Sequence, residues 1–481
     1  MGLVDELDAQ DMRLFLAYGE LGWVGLEAHG RHGLLRSLAV ADPLRGRRGI
    51  GVLRAGLLRM TRPVPNVPPL APPPPPAVPG VGYLAWVVSA LGVTQIVAWG
   101  SLYYTIAVLA GPMAQGLGVS LATVYGAFSA SLVVSGLCAP GIGRAIDRCG
   151  GRPVLAAGAL ASAAALALIA LAPNIAVFYL GWALAGVAMA ANLYDAAFAA
   201  LSQTSGPRYR PALTALTLYG GFASTVFWPL TWYLEARLGW RTTLLAFAAV
   251  HLLVNLPLFL AALPRRAPVA APPPAPAPGT PASNGNAQAN KLFLWLATAF
   301  TVVSFVVSAI GAHAVSLLGA SGLDAATAIA VASLFGPMQV AGRVAELAFA
   351  RRLKATSVGV AAFVMMSVAM LLLAWAGGNV WLAFAFAASY GAANGVMTIV
   401  RGTVPAELLG RDAYGSLMGR LAQPAFLAKA IAPVLFAGLI AAGLGHDRLP
   451  YILVALAGCA TLAFVLALRC ARRADADGGT H

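Results

Sequence analysis

Charge is what this sequence has least of. Only 10% of its 481 residues are Asp, Glu, Lys or Arg, against 59% hydrophobic, and the mean hydropathy is +0.78. Soluble domains carry about 25% charged residues, so an ordinary globular protein is excluded. Acidic residues are scarcer still, 17 against 31 Lys and Arg. The resulting net charge of +14 does not imply a nucleic-acid partner, because the basic residues sit in the N-terminal arm and in alternate short loops, where they set membrane topology. Cysteine is also rare. Cys138, Cys149, Cys459 and Cys470 have no paired spacing, which argues against disulfides and against coordination of a soft metal by three thiolates. No cofactor is expected. Residues 1–62 lack a compact apolar stretch after a basic start, so no cleavable signal peptide is expected and insertion falls to the first membrane helix.

What is present is a succession of apolar runs of about 20 residues or more, each able to cross a hydrocarbon core of about 30 Å. Twelve are expected, at 82–110, 120–140, 153–172, 175–203, 212–234, 242–263, 292–318, 325–347, 356–376, 379–399, 413–442 and 449–469. Charge tests the count independently. Alternate loops hold Arg144, Arg148 and Arg152; Arg208 and Arg210; Arg265, Arg266 and Lys291; Arg351, Arg352 and Lys354; and Arg401 and Arg411. The opposite loops hold only Arg237, Arg241 and Arg448, with Glu235 and Asp447 beside them. The positive-inside rule then puts both termini in the cytoplasm. Residues 63–80 read as a Pro-rich linker, and 264–291, rich in Pro, Ala and Asn, divides six spans (81–263) from six (292–470), leaving a tail at 471–481. Gly143-Arg144-x-x-Asp147 and Arg152 recur 199 residues later as Gly342-Arg343-x-x-Glu346 and Arg351; an offset of 203 is the alternative register.

The charged turn between the second and third runs contains Gly143, Asp147, Arg148, Gly150 and Arg152 in the pattern Gly-x-x-x-Asp-Arg-x-Gly-x-Arg. It resembles the loop between helices 2 and 3 of the major facilitator superfamily of secondary transporters. That resemblance implies an all-α membrane protein of twelve transmembrane helices in two six-helix bundles, with a solute held between the bundles and exposed to each side in turn. It also implies a monomer in a bacterial inner membrane, whose partners are the lipid bilayer, a small-molecule substrate and protons as coupling ion. The motif and Arg343 would then gate the cytoplasmic side.

Residues 1–62 carry a second resemblance. Leu34 to Val40 reads as a strand, followed by a turn and helix start with Arg45, Gly49 and Gly51, and this short mixed α/β segment is similar to the pyrophosphate-binding part of Gcn5-related N-acetyltransferases. Arg45 to Gly49 is one residue longer than the Arg-x-x-Gly-x-Gly spacing. With Val24-Gly25-Leu26-Glu27 ahead of it, the segment resembles the acetyltransferases of arsenic-resistance operons. A membrane-tethered acetyltransferase is the reading that would make an enzyme of the chain; twelve spans exceed what an anchor needs, and no enzyme is expected.

Polar groups inside spans cost about 2.5–3.5 kcal/mol when charged, so each needs a partner, water or a function. Lys429 lies mid-span with Gln423 below it, and Arg343 shares its span with Glu346. Asp195 stands beside Asn192 and Tyr194. Lys429 and Arg343 suit cationic anchors, and Asp195 or Glu346 a proton-exchanging group; alternatively Arg343 pairs with Glu346 one turn away. Gln95, Trp99 and Tyr103 share one face of the first span, with Tyr104 adjacent, and Tyr390 and Asn394 form a similar pair in the tenth. Within the superfamily, Gln95-x-x-x-Trp99-Gly100 and Arg401-Gly402-x-x-x-Ala406-Glu407-Leu408-x-Gly410 resemble the monocarboxylate and oxalate/formate branch. The overall pattern is also similar to arsenite-efflux permeases. The N-terminal resemblance favours arsenite efflux, a small neutral trihydroxide that Gln, Tyr, Asn and Ser could bind, with a proton-coupled organic-anion carrier as the alternative.

Overall fold

The computed structural model describes residues 3–7, 12–17, 23–29, 34–40, 80–265, 284–349, 353–441, 444 and 448–478. The chain divides into two units, Met1–Ala77 and Val78–His481. In the first, β1 (Leu3–Leu7), β2 (Met12–Ala17), β3 (Trp23–His29) and β4 (Leu34–Val40) form an antiparallel meander in the order β1-β2-β3-β4. β4 is the strand expected before Arg45; the turn and helix start after it, and residues 63–79 and 266–283 of the two linkers, lie outside the described residues.

The second unit is helical, because hydrocarbon offers the backbone no hydrogen-bond partner but itself. Its helices are α1 (Val81–Ala98), continued by a π-helical turn Trp99–Tyr104, α2 (Ile106–Leu117), α3 (Leu121–Cys149) and α4 (Gly151–Ala170). α5 (Ile175–Asn192), α6 (Tyr194–Ser205), α7 (Tyr209–Gly221) and α8 (Ala223–Val250) follow, then a second π-helical turn His251–Asn255 and α9 (Leu256–Ala262). The other half holds α10 (Asn284–Ala320), α11 (Ala325–Ser333), α12 (Phe335–Phe349), α13 (Ala355–Ala374), α14 (Val380–Leu408), α15 (Tyr414–Ala441) and α16 (Leu449–Gly478).

Among the described residues ten helical stretches are long and apolar enough to cross a membrane, and one of them, Ile175–Ala262, has 88 residues. At 1.5 Å per residue that is about 130 Å, several times a bilayer core. It is broken at Gly206 (φ 50°) and inside α8 at Gly239 (φ 74°, ψ 164°), so it makes three spans and the total is the expected twelve.

Several loop residues of the sequence reading lie inside helices, among them Arg210 in α7, Arg237 and Arg241 in α8 and Lys291 in α10, and two boundaries differ most. The charged motif is not a loop: α3 runs through Arg144, Asp147 and Arg148 to Cys149, and the chain reverses on Gly150 alone (φ 85°, ψ 162°). Likewise Arg401 is not in a loop but two turns inside α14, which extends to Leu408. In both places polar residues of good helical propensity continue the helix beyond the apolar window. The register of the repeat also changes. Ser120 and Asp324 cap α3 and α11 by accepting from Thr123 and Thr327 N–H, and Gln203 and Glu407 accept from Gly151 and Ala355 N–H at the starts of α4 and α13. Each pair is 204 residues apart, next to the alternative of 203 and away from 199. The Thr327 bonds hold the exposed Asp324 carboxyl below its usual range.

The two halves meet most extensively where α3 packs on α15, with further contacts of α6 on α15 and of α7 on α12 and α14. These contacts lie toward the end carrying the basic loops. There Asp147 reaches across: Oδ1 accepts from Gly415 N–H (2.7 Å), and Oδ2 from Ser416 N–H (2.6 Å) and the Ser416 hydroxyl. A carboxylate of one half thus caps the first turn of a helix in the other, whose own preceding residue, Ala413, has no side-chain acceptor. Close approach requires glycine: a Cβ on Gly143 would sit 2.7 Å from the Gly415 carbonyl carbon. Nearby, the Tyr414 hydroxyl donates to the Gly402 carbonyl, and the Tyr209 hydroxyl lies 3.1 Å from both that carbonyl and Tyr414 Oη.

Gly239 occupies a backbone region open essentially to glycine alone, so Gly239→Val is expected to cost about 1–3 kcal/mol and lower the apparent Tm of the purified protein; an unchanged Tm would refute the turn. Asp147→Ala removes a cap worth about 1–2 kcal/mol. In a background without native cysteines, a thiol at Ala139, sealed against Gly419, should then react roughly tenfold faster with a small maleimide than with Asp147 intact. Equal rates would show that this contact does not hold the end closed.

Candidate functional site

The centre of the bundle is shaped by interruptions in its helices. Leu193 is extended (φ −78°, ψ −176°) between α5 and α6, which leaves the Asn192 carbonyl without its helical donor. Gln95 supplies one, its Nε2 donating to Asn192 O at 2.7 Å. Asn192 Nδ2 donates in turn to Ser162 Oγ (2.9 Å). Gln95 and Asn192 are both fully buried, so these two candidate binding residues tie the first, third and fourth spans together.

The π turn Trp99–Tyr104 gathers an aromatic cluster, the side of a candidate solute chamber between the spans. Trp99 packs with Tyr103 (5.1 Å between ring centroids), Tyr194 (5.2 Å) and Tyr104 (6.0 Å), and Tyr104 meets Trp228 edge-on at 6.0 Å. Trp99 Nε1 is buried with no hydrogen-bond acceptor among the described residues. From the other half Tyr390, within electrostatic range of Tyr103 and Tyr104, donates its hydroxyl to Val307 O (3.3 Å) and packs on Phe335 (4.7 Å). Asn394, one turn along, and Gln423 are half-buried.

One cation borders these rings and a second lies elsewhere inside the bundle. Arg343 is buried against Gly221 of α7, within electrostatic range of Tyr104 and Tyr194, and its Nε and Nη1 have no partner among the described residues. Lys429 is half-buried, its Nζ 5.3 Å from the centre of the Phe426 ring, with no ion pair among the described residues.

The carboxylates take other partners. Glu346 does not pair with Arg343 on its own helix; Oε1 accepts from Arg210 Nε (3.1 Å) and Nη2 (2.9 Å), and Oε2 from Thr214 Oγ1 (2.7 Å), all from α7. Helix-neighbour spacing is outweighed by the packing of α12 on α7, which delivers a guanidinium and a hydroxyl together. Asp195 binds Arg401 at 3.0 Å, with both side chains 14% exposed. Both pairs bridge the two halves. Lys429 lies within electrostatic range of the second.

Of the motif residues, Gly143 and Asp147 stand in the closed interface and Gly150 makes the turn, while Arg148 is exposed and Arg152 half-buried. Sequence reasoning passed over Arg210, Arg401, Tyr209, Tyr414 and His251 as site residues. Tyr209 and Tyr414 had a signal, since they are 205 residues apart, one step from the repeat offset; the others had none locally. Among the described residues no group of His, Cys, Asp and Glu is placed to hold a metal ion.

Comparison with known proteins agrees with this architecture. The chain resembles the human organic anion transporter MFSD10 (TETRAN), at 18% identity and a TM-score of 0.60 over 80% of this chain and 99% of that one. It also resembles FucP, a transporter solved in the outward conformation, at 16% identity and a TM-score of 0.64 over 81% and 99% of the two chains. At such identities the likeness is one of fold. No curated protein matches the sequence. The profile described as Major Facilitator Superfamily matches residues 91–421, more than half the chain, and with twelve spans closed on one another at their basic end, this chain belongs to that superfamily.

Proposed function

We propose that the protein is a secondary active transporter that moves a small organic anion, a carboxylate foremost, between the two halves. The observation that carries this reading is a pair of cations inside the bundle with no carboxylate partner among the described residues, Arg343 beside Tyr104 and Tyr194, and Lys429 against Phe426. A buried, unpaired guanidinium costs several kcal/mol, and an anion held by it recovers that cost through charge-assisted hydrogen bonds. Lys429 supplies a second point charge from α15, and the rings of Trp99, Tyr103, Tyr104 and Tyr390 exclude water around a short carbon frame.

By the positive-inside rule the basic end is cytoplasmic, so the contacts among α3, α7, α12, α14 and α15 describe a carrier closed to the cytoplasm, with both termini on that side of a bacterial inner membrane. Opening that side separates Asp195 from Arg401 and Glu346 from Arg210. The two carboxylates would thus change partners with each transport cycle, which makes Asp195 and Glu346 the proton-coupling candidates of this reading.

Arsenite efflux is the second reading. β4, set directly before the Arg45–Gly51 run as the acetyltransferase resemblance requires, favours it. A neutral trihydroxide would use the phenols of Tyr103, Tyr104 and Tyr194 and would have little use for the two cations.

In proteoliposomes, Lys429→Ala and Arg343→Ala should each raise KM for oxalate or lactate by about tenfold or more, and Lys429→Arg should retain most of the affinity. Lower arsenic accumulation in arsenite-sensitive cells, unaffected by Lys429→Ala and without carboxylate uptake, would replace the anion reading with the arsenite one. Asp195→Asn and Glu346→Gln should abolish uptake driven by a pH gradient while sparing counterflow exchange; loss of both activities together would refute their role in coupling.

A further inference from the structure

We infer that His251, in the sixth span, is a positioning residue for the aromatic side of the chamber, acting through Ser101 on the π turn Trp99–Tyr104. The inference rests on the reading that this chamber receives the solute, but its structural part can be tested without any solute.

The first span changes pitch where its aromatic residues begin. In an α-helix Tyr103 would follow Trp99 on the same face, while Tyr104, five residues along, would be turned away by about 140°. A π turn closes on the fifth residue instead, which returns Tyr104 to the face of Trp99. Both tyrosine rings accordingly contact Trp99, and Tyr104 goes on to meet Trp228. The pitch therefore decides how many rings the span contributes. A π turn is not self-sustaining: it is the less favourable helix and needs support from outside.

The support is a buried chain of hydrogen bonds. The Ser101 hydroxyl donates to Val97 O (2.7 Å), so its oxygen is left to accept from His251 Nε2 at 2.8 Å. Asn255 Nδ2 donates to His251 Nδ1 (3.1 Å), and each ring nitrogen then has one role, as in a neutral imidazole. Ser101, His251 and Asn255 are fully or almost fully buried. His251 and Asn255 bound a π turn of their own, so two π turns face one another across the first and sixth spans. Thr105 completes the brace from its own helix, with both its N–H and its hydroxyl donating to the Gly100 carbonyl. Ser101, His251 and Asn255 are buried and bonded to one another, so in this reading their effect on a solute passes through the rings.

The test compares Ser101→Ala, His251→Phe and His251→Gln, the last retaining a donor near the Nε2 position. Trp99 emission, isolated as the difference from matched Trp99→Phe proteins in nanodiscs without added solute, should shift in Ser101→Ala and His251→Phe and stay in place in His251→Gln. For oxalate or lactate uptake, the first two should raise KM about tenfold with the maximal rate nearly unchanged, and His251→Gln should restore it. An unshifted Trp99 component in folded Ser101→Ala overturns the inference whatever the solute proves to be. A lower maximal rate at unchanged KM overturns it as well, because it would make the network a general support of the bundle.

Discussion

A carboxylate in one half of the molecule satisfies the exposed N–H groups of a helix in the other, and the closest approach of the two halves is built around that contact. Asp147 sits where the positive end of the α15 dipole would otherwise face a crowded, partly dry interface. The glycines at 143 and 415 bring the backbones close enough for the contact, and the contact makes that closeness stable. The Tyr209–Tyr414–Gly402 contacts and the two ion pairs between halves then lie inside the region that it closes. All are polar, and polar contacts across a seam can be exchanged for water when the seam opens, which tightly interdigitated apolar packing cannot.

The same accounting of backbone groups explains the chamber. At two departures from α geometry a neighbouring span lends a side chain: Gln95 meets the freed Asn192 carbonyl, and His251 braces the π turn through the Ser101 hydroxyl. Membrane helices tolerate such breaks only where they are supported in this way. The π turn and the break at Leu193 meet at the contact of Trp99 with Tyr194, so irregular backbone adjoins the aromatic cluster.

The spans were legible because hydrocarbon thickness imposes a length on every apolar run, and the alternation of basic loops supplied an independent check. The ends of α3 and α14 were not, since Arg144, Arg148 and Arg401 read as loop by hydropathy but favour helix by propensity, and Asp147 is carried along with them. Lys429 and Arg343 stood out as charges too expensive to be incidental. The partner of Glu346 did not: spacing on one helix can nominate Arg343, but only the packing of α7 on α12 brings Arg210 and Thr214 to it. The π turn was invisible for the same reason. Tyr104 reads as off the face of Trp99 until Ser101 and His251, 150 residues apart, are placed in contact.

The single-residue reversal at Gly239 has a consequence for how the protein is made. The fifth and sixth spans have no loop between them, so neither can settle in the bilayer while the other waits outside; they must pass into the lipid as a hairpin. Arg241, just beyond the bend, donates to the carbonyls of Ala170 and Ala172 at the end of the third span, and its guanidinium lies 4.4 Å from the centre of the Trp240 ring. The hairpin thus arrives with its own anchor to helices synthesised earlier, and the N-terminal half can be complete before the first residue of the second half leaves the ribosome.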